Sequence, residues 1–88
     1  MKFIYGLNIN GQSLLEYFYS KNISVLIWDD NIKIRKQIKL RYNKDIKFVN
    51  PKEIDWSNIT EAFVSPGINL NKKFLFYNKN KLKLFRDL

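Results

Sequence analysis

The sequence predicts an α/β fold: a parallel five-stranded sheet with helices on both faces. Three observations predict it. Short apolar runs alternate along the chain with segments of helical periodicity. One of the runs, Ser24-Val25-Leu26-Ile27-Trp28, is nearly continuous, the pattern of a strand buried on both faces, which favours a parallel sheet. Finally, three turn-forming segments each follow directly on an apolar run: Gly6 to Gly11, Asp29-Asp30 and Ser65-Pro66-Gly67-Ile68. In a parallel sheet all three meet at the carboxyl edge, where ligands of such sheets bind.

The elements follow in order. Lys2 to Tyr5 reads as a short strand ended by Gly6. Gln12 to Lys21 reads as a helix, with Leu14, Leu15, Phe18 and Tyr19 on one face and Asn22 as a left-handed stop. Ser24 to Trp28 is the second strand. Asn31 to Tyr42 is the second helix, with Ile34, Ile38 and Tyr42 four apart and cations over most of the rest. Asp45 to Val49 is a third strand, broken by Asn50-Pro51. Pro51 to Ile54 makes one helical turn, and Glu61 to Val64 is the fourth strand. Leu70 to Tyr77 reads as a helix, and the alternation in Leu82-Lys83-Leu84-Phe85 gives a closing edge strand. Strands that alternate with helices imply right-handed crossovers. The 88 residues form a single domain with no repeat and no linker.

Composition removes several functions. The chain has no cysteine and no histidine, so disulfides, thiolate metal sites, a histidine general base and a histidine triad are all excluded. No catalytic residue and no metal ligand is assigned. No segment reaches the roughly 20 apolar residues of a membrane span, and the expected location is the cytoplasm. The net charge of +8 comes from 16 Lys+Arg against 8 Asp+Glu. That suits an anionic partner, but the abundance of Lys, Asn, Ile, Tyr and Phe together also marks A/T-rich codon usage.

The loops carry the chemistry. Gly6 to Gly11 has the spacing of the phosphate-binding turn G-x-G-x-x-G, with Asn8 in place of the middle glycine. Gly6 would make the tight exit from the strand, and Gly11 would let the helix approach the sheet. The helix start, near Asn10 to Ser13, would offer N–H groups to a phosphate. Asp29 stands 23 positions after Gly6, close to the ~20-residue spacing at which an acid meets a ribose hydroxyl. Asp30 is the candidate cap of the following helix. Trp28, Phe63 and the aromatic residues of the first helix read as core, and Lys72 and Lys73 read as solvated.

Gly6-Leu7-x-x-x-Gly11-x-Ser13, the strand ending in Asp29-Asp30, and Ser65-Pro66-Gly67-Ile68 together resemble the N-terminal domain of the Mur ligases. Within that family the likeness is greatest to the member that adds D-glutamate. Asp55-Trp56 before the fourth strand and Leu82 to Asp87 at the end also match, so the resemblance covers essentially the whole chain. It implies a Rossmann-like domain that holds the uridine diphosphate end of UDP-N-acetylmuramoyl-L-alanine. By position, Ile9, Asn10 and Gly11 would present N–H groups to the diphosphate. Asp29 would hydrogen-bond the uridine, with Asp30 and Asn31 beside it, and Ser65, Pro66 and Gly67 would form the opposite wall. Asn8 and Asn31 depart from the family's usual residues.

The family's reaction uses ATP and Mg to make an acyl phosphate, which D-glutamate then attacks. The chain contains no G-x-x-x-x-G-K-[ST] stretch. It is therefore expected to lack the central ATP-binding and C-terminal domains, to hold no cofactor itself and to be inactive alone. A piece of a longer ligase, a split product and a decayed remnant all fit. The other domains of the ligase would then be its partners, with no membrane and no nucleic acid. The competing readings are a small Rossmann-type dinucleotide-binding regulatory module, using the Gly6 loop and Asp29 for NAD or an adenine nucleotide, and a basic nucleic-acid-binding domain resting on net charge.

Overall fold

The computed structural model describes residues 1–42 and 46–69, together with the backbone of 83–85. The first strand, β1 (Lys2–Tyr5), leads into helix α1 (Ile9–Ser20), and the order continues as β2 (Val25–Trp28), α2 (Ile32–Tyr42), a 3-10 turn at Trp56–Asn58, β3 (Glu61–Val64) and β4 (Lys83–Phe85). The strands form one parallel sheet in the order β2-β1-β3-β4. β1 is central, with Phe3, Ile4 and Tyr5 fully or almost fully buried. The Lys2 ammonium is paired with Glu61 on neighbouring β3.

Helix α1 starts earlier than expected. Asn8 adopts extended backbone and caps it, so Gly11 lies inside the first turn rather than in the loop. Its exit is as the sequence suggests. Asn22 takes φ 56, and Ile23 N–H donates to the Phe18 carbonyl at 2.9 Å while Asn22 N–H donates to Tyr19 at 3.1 Å. These two bonds form the left-handed cap that satisfies the last carbonyls of a helix.

The expectation for the third strand needs correction. Of the third strand, Asp45 lies outside the described residues, and the rest makes a single parallel bridge from Phe48 to Ile27. Ile27 N–H donates to Lys47 and Val49 N–H to Ile27, both at 3.1 Å. The chain then turns away at once, because Asn50 accepts from Lys52 through its side chain and from Glu53 through its carbonyl. Five full strands therefore reduce to four and a bridge on the outer side of β2.

The placement of the helices follows the direction of the crossovers. Ile4, Val25 and Ile27 share one cluster with Leu15 and Phe18 of α1 and Ile38 of α2, so both described helices cover the same face. Right-handed crossovers that step in one direction along a sheet must do this. The opposite face, with Phe3, Tyr5, Ala62 and Val64, is covered by Ile54, Trp56 and Ile59 of the segment that returns across the sheet to β3. Trp56 meets Phe3 edge-on at 5.7 Å and donates from its indole to the Pro51 carbonyl at 3.1 Å. The helix expected over residues 70–77 lies outside the described residues. Among the described residues no helix is long and apolar enough to cross a membrane.

Candidate ligand-binding cleft

The parallel register brings the ends of β1, β2 and β3 level, and the backbone ladder continues one step beyond them. Gly6 N–H donates to the Trp28 carbonyl at 2.8 Å, and Ser65 N–H donates to the Tyr5 carbonyl at 2.9 Å. The three loops singled out by the sequence therefore start side by side. Between them lies a cleft of about 180 Å³, lined by Gly6, Asn8, Asp29, Asp30, Ser65, Gly67 and Ile68.

Close packing builds this edge. Gly6 has φ +105, a conformation that L side chains rarely adopt, and a Cβ there would lie 2.5 Å from the Ser65 Cβ. A Cβ on Gly11 would lie 2.2 Å from the Gly6 carbonyl oxygen, so α1 sits directly on the first loop. Gly67 differs. A Cβ there would meet nothing within 4 Å, and its φ is not positive. Packing among the described residues makes no demand for glycine at 67.

The two acids are held in different ways. Asp29 is half-buried and bridges two loops: Oδ2 accepts from Leu7 N–H and Oδ1 from Asn31 N–H, both at 2.8 Å. Each oxygen keeps a lone pair. Asp30 accepts from the Tyr5 hydroxyl at 2.9–3.0 Å on both oxygens and from the Trp28 indole N–H at 2.9 Å. Arg35 stabilises the backbone of this loop. Its Nη1 donates to the Asp29 carbonyl at 2.6 Å, and its guanidinium stacks 4.2 Å over the Trp28 ring.

Of the expected site residues, Asp29, Asp30, Ser65 and Gly67 line the cleft, and the others stand around it. Gly11 N–H, expected to face a diphosphate, donates to Asn8 Oδ1 at 2.9 Å. Ile9 and Asn10 open α1 and are exposed. Pro66 is exposed in the Ser65 to Ile68 turn, which Ile68 N–H closes onto the Ser65 carbonyl at 3.0 Å. Asn31, not Asp30, caps α2: its Oδ1 accepts from Lys33 N–H at 2.9 Å, and its carbonyl accepts from Ile34 and Arg35.

Sequence reasoning treated Trp28 as core and gave Tyr5 and Arg35 no part in the site. The signal for Tyr5 was a hydroxyl at the carboxyl end of an apolar strand, where a buried ring needs a polar partner. Asn8 was read only as a missing glycine, although an Asn just before a helix is a favoured cap.

A larger hollow of about 290 Å³ lies at the amino edge, between Met1, Tyr19, Asn22, Ile23 and Lys47. Burial pushes the Tyr19 hydroxyl above its ordinary value of 10.0. The smaller cleft is the stronger candidate because four polar residues from its three loops, Asn8, Asp29, Asp30 and Ser65, line it. Convergent polar groups, more than volume, mark a binding site.

No protein-family model matches the chain. Two curated proteins are similar to it, both UDP-N-acetylmuramoylalanine--D-glutamate ligases. That of Wolbachia sp. subsp. Brugia malayi (strain TRS) is 28% identical over 68 residues, or 77% of the chain. That of Wolbachia pipientis wMel is 29% identical over an aligned stretch of 92 residues that covers 96% of the chain. The chain matches only 14% and 18% of their respective lengths. The resemblance read from the loop motifs and the similarity found by comparison point to the same kind of ligase.

Proposed function

We propose that the chain is the N-terminal substrate-binding domain of a ligase that adds D-glutamate to UDP-N-acetylmuramoyl-L-alanine, and that the carboxyl-edge cleft receives the uridine end of that substrate. On this reading the chain works in the cytoplasm on a peptidoglycan precursor. The other parts of such a ligase would supply ATP, Mg and catalysis.

Gly67 carries the reading. It stands on the cleft wall where none of the described residues comes within 4 Å of an added Cβ. A wall kept bare without an internal reason suits close approach by something external. The half-buried Asp29 carboxylate has acceptor capacity to spare toward the imide and hydroxyl donors of a nucleoside. The names of the two similar ligases favour a uridine nucleotide.

The test is a thermal-shift titration with UDP, UDP-N-acetylmuramoyl-L-alanine, NAD and ATP in separate wells. The two uridine ligands are expected to raise Tm, by about 2–3 kcal/mol of stabilisation at 100-fold excess over Kd. Gly67→Val is the variant of choice, because its Cβ enters the cleft without meeting any of the described residues. It should keep the ligand-free Tm and lose the uridine response. A larger rise with NAD than with UDP would replace this reading with the dinucleotide module.

A further inference from the structure

We infer that the outer face of α2 docks the chain on an anionic lipid bilayer, with Lys33, Lys36 and Lys39 at the headgroups and Ile32 and Leu40 dipping between them. α2 turns Ile34, Ile38 and Tyr42 toward the core, and the Asn31 cap holds its start. On the opposite side Ile32, Lys36 and Leu40 follow one another at a spacing of four, with Lys33 and Lys39 three positions to either side of Lys36. All five are exposed, Ile32 at 54% and Leu40 at 83%. Among the described residues none of the three ammonium groups takes part in an ion pair. The other cations of the helix are engaged elsewhere, Arg35 on Trp28 and the Asp29 carbonyl, Arg41 on Gln12 at 2.7 Å.

Codon usage does not account for this face. It would enrich lysine along the whole chain, yet α1 has no Lys or Arg in 12 residues, whereas α2 has five in 11 and no acid. The chemistry of the face selects the partner. Like charge on both sides disfavours a second copy of the chain. Nucleic acid takes up the cations but gives nothing to two exposed aliphatic side chains. An anionic bilayer takes both: its phosphates accept from the ammonium groups, and the long lysine stems let the aliphatic side chains reach the acyl boundary. Among the described residues the face is the convex side of a single helix. That shape suits a flat surface, whereas a bound acidic helix lies in a groove. The expectation of no membrane partner rests on the lack of a spanning segment, and surface attachment needs none.

Co-sedimentation of the 88-residue chain tests this, with vesicles of phosphatidylcholine alone and of phosphatidylcholine and phosphatidylglycerol in equal parts. The chain should bind the anionic vesicles only, and less tightly as salt rises. Lys33→Gln, Lys36→Gln and Lys39→Gln together should weaken binding about hundredfold, about fivefold for each cation. Lys21→Gln, Lys47→Gln and Lys52→Gln together remove the same charge from other exposed positions and should weaken it no more than about threefold. Ile32→Ser with Leu40→Ser should weaken it about tenfold. Equal losses in the two lysine triples would overturn the inference, since net charge alone would then bind. The same holds if the wild type ignores the anionic vesicles, or if the Ile32→Ser, Leu40→Ser variant binds in full. Tighter binding to mixed-sequence RNA than to the vesicles would also overturn it and make the face a nucleic-acid surface.

Discussion

The two edges of the sheet solve the same problem, reversing the chain after an element, with different materials. All three glycines of the chain stand at the carboxyl edge, two of them in contacts too close for a Cβ. There the loops are cross-tied by Asp29, Asn8 and the extended backbone ladder. The amino edge uses no glycine. It reverses the chain at Asn22 in a left-handed cap and leaves a larger hollow. Close packing and cross-ties at the strand ends are the arrangement expected of a fold that holds a ligand there.

The largest effect that would break this contrast is at Gly6. Gly6→Ala combines a positive φ with a clash on Ser65 and should cost about 2–4 kcal/mol, seen in urea denaturation. Gly67→Ala should cost less than about 0.5 kcal/mol, because it meets open space. Similar losses at the two positions would mean that the edge is not packed as described.

Asp29→Ala comes next. It strips the acceptor from Leu7 N–H and Asn31 N–H together and should cost about 1–3 kcal/mol, besides any loss of ligand response. For that reason Gly67→Val is the cleaner probe of binding.

At the amino edge the effects should be smaller. Asn22→Gly should change stability by only a few tenths of a kcal/mol, since glycine adopts the same backbone freely.

The smallest effect is one of pH. Tyr42 is pushed above its ordinary 10.0, first by burial and then by its hydrogen bond to Glu16, and burial does the same to Tyr19. The folded chain therefore keeps protons that the unfolded chain has lost above pH 10. Their contribution is complete below pH 10 and declines as pH rises through the folded values. Denaturation at pH 9 and pH 11 should show a smaller difference in Tyr42→Phe than in the wild type.

Much of this architecture was legible in the chain. β1, β2 and β3 stood out because each apolar run is cut off by a glycine, an acid or a Ser-Pro-Gly turn, and those same cuts placed the cleft. The residues around Phe48 misled because alternation alone does not say how long pairing lasts; Asn50 and Pro51 end it after one bridge. The start of α1 was set too late because glycine is a poor helix former, whereas here Gly11 is required by its contact with Gly6. Of the helices expected on both faces, α1 and α2 share one, as two successive crossovers stepping the same way along the sheet must, and the helix expected over residues 70–77 lies outside the described residues. The roles of Tyr5, Trp28 and Arg35 depend on side chains from three elements meeting in space, which no local pattern encodes.

The setting of Trp28 gives the molecule an optical reporter of its own. The indole lies under the Arg35 guanidinium and donates to Asp30, a residue of the cleft wall. The other tryptophan, Trp56, is tied to Pro51 in the segment that crosses the opposite face. With Trp56→Phe, the remaining emission would come from the binding edge alone, and its colour and intensity would follow occupancy of the cleft without any attached dye.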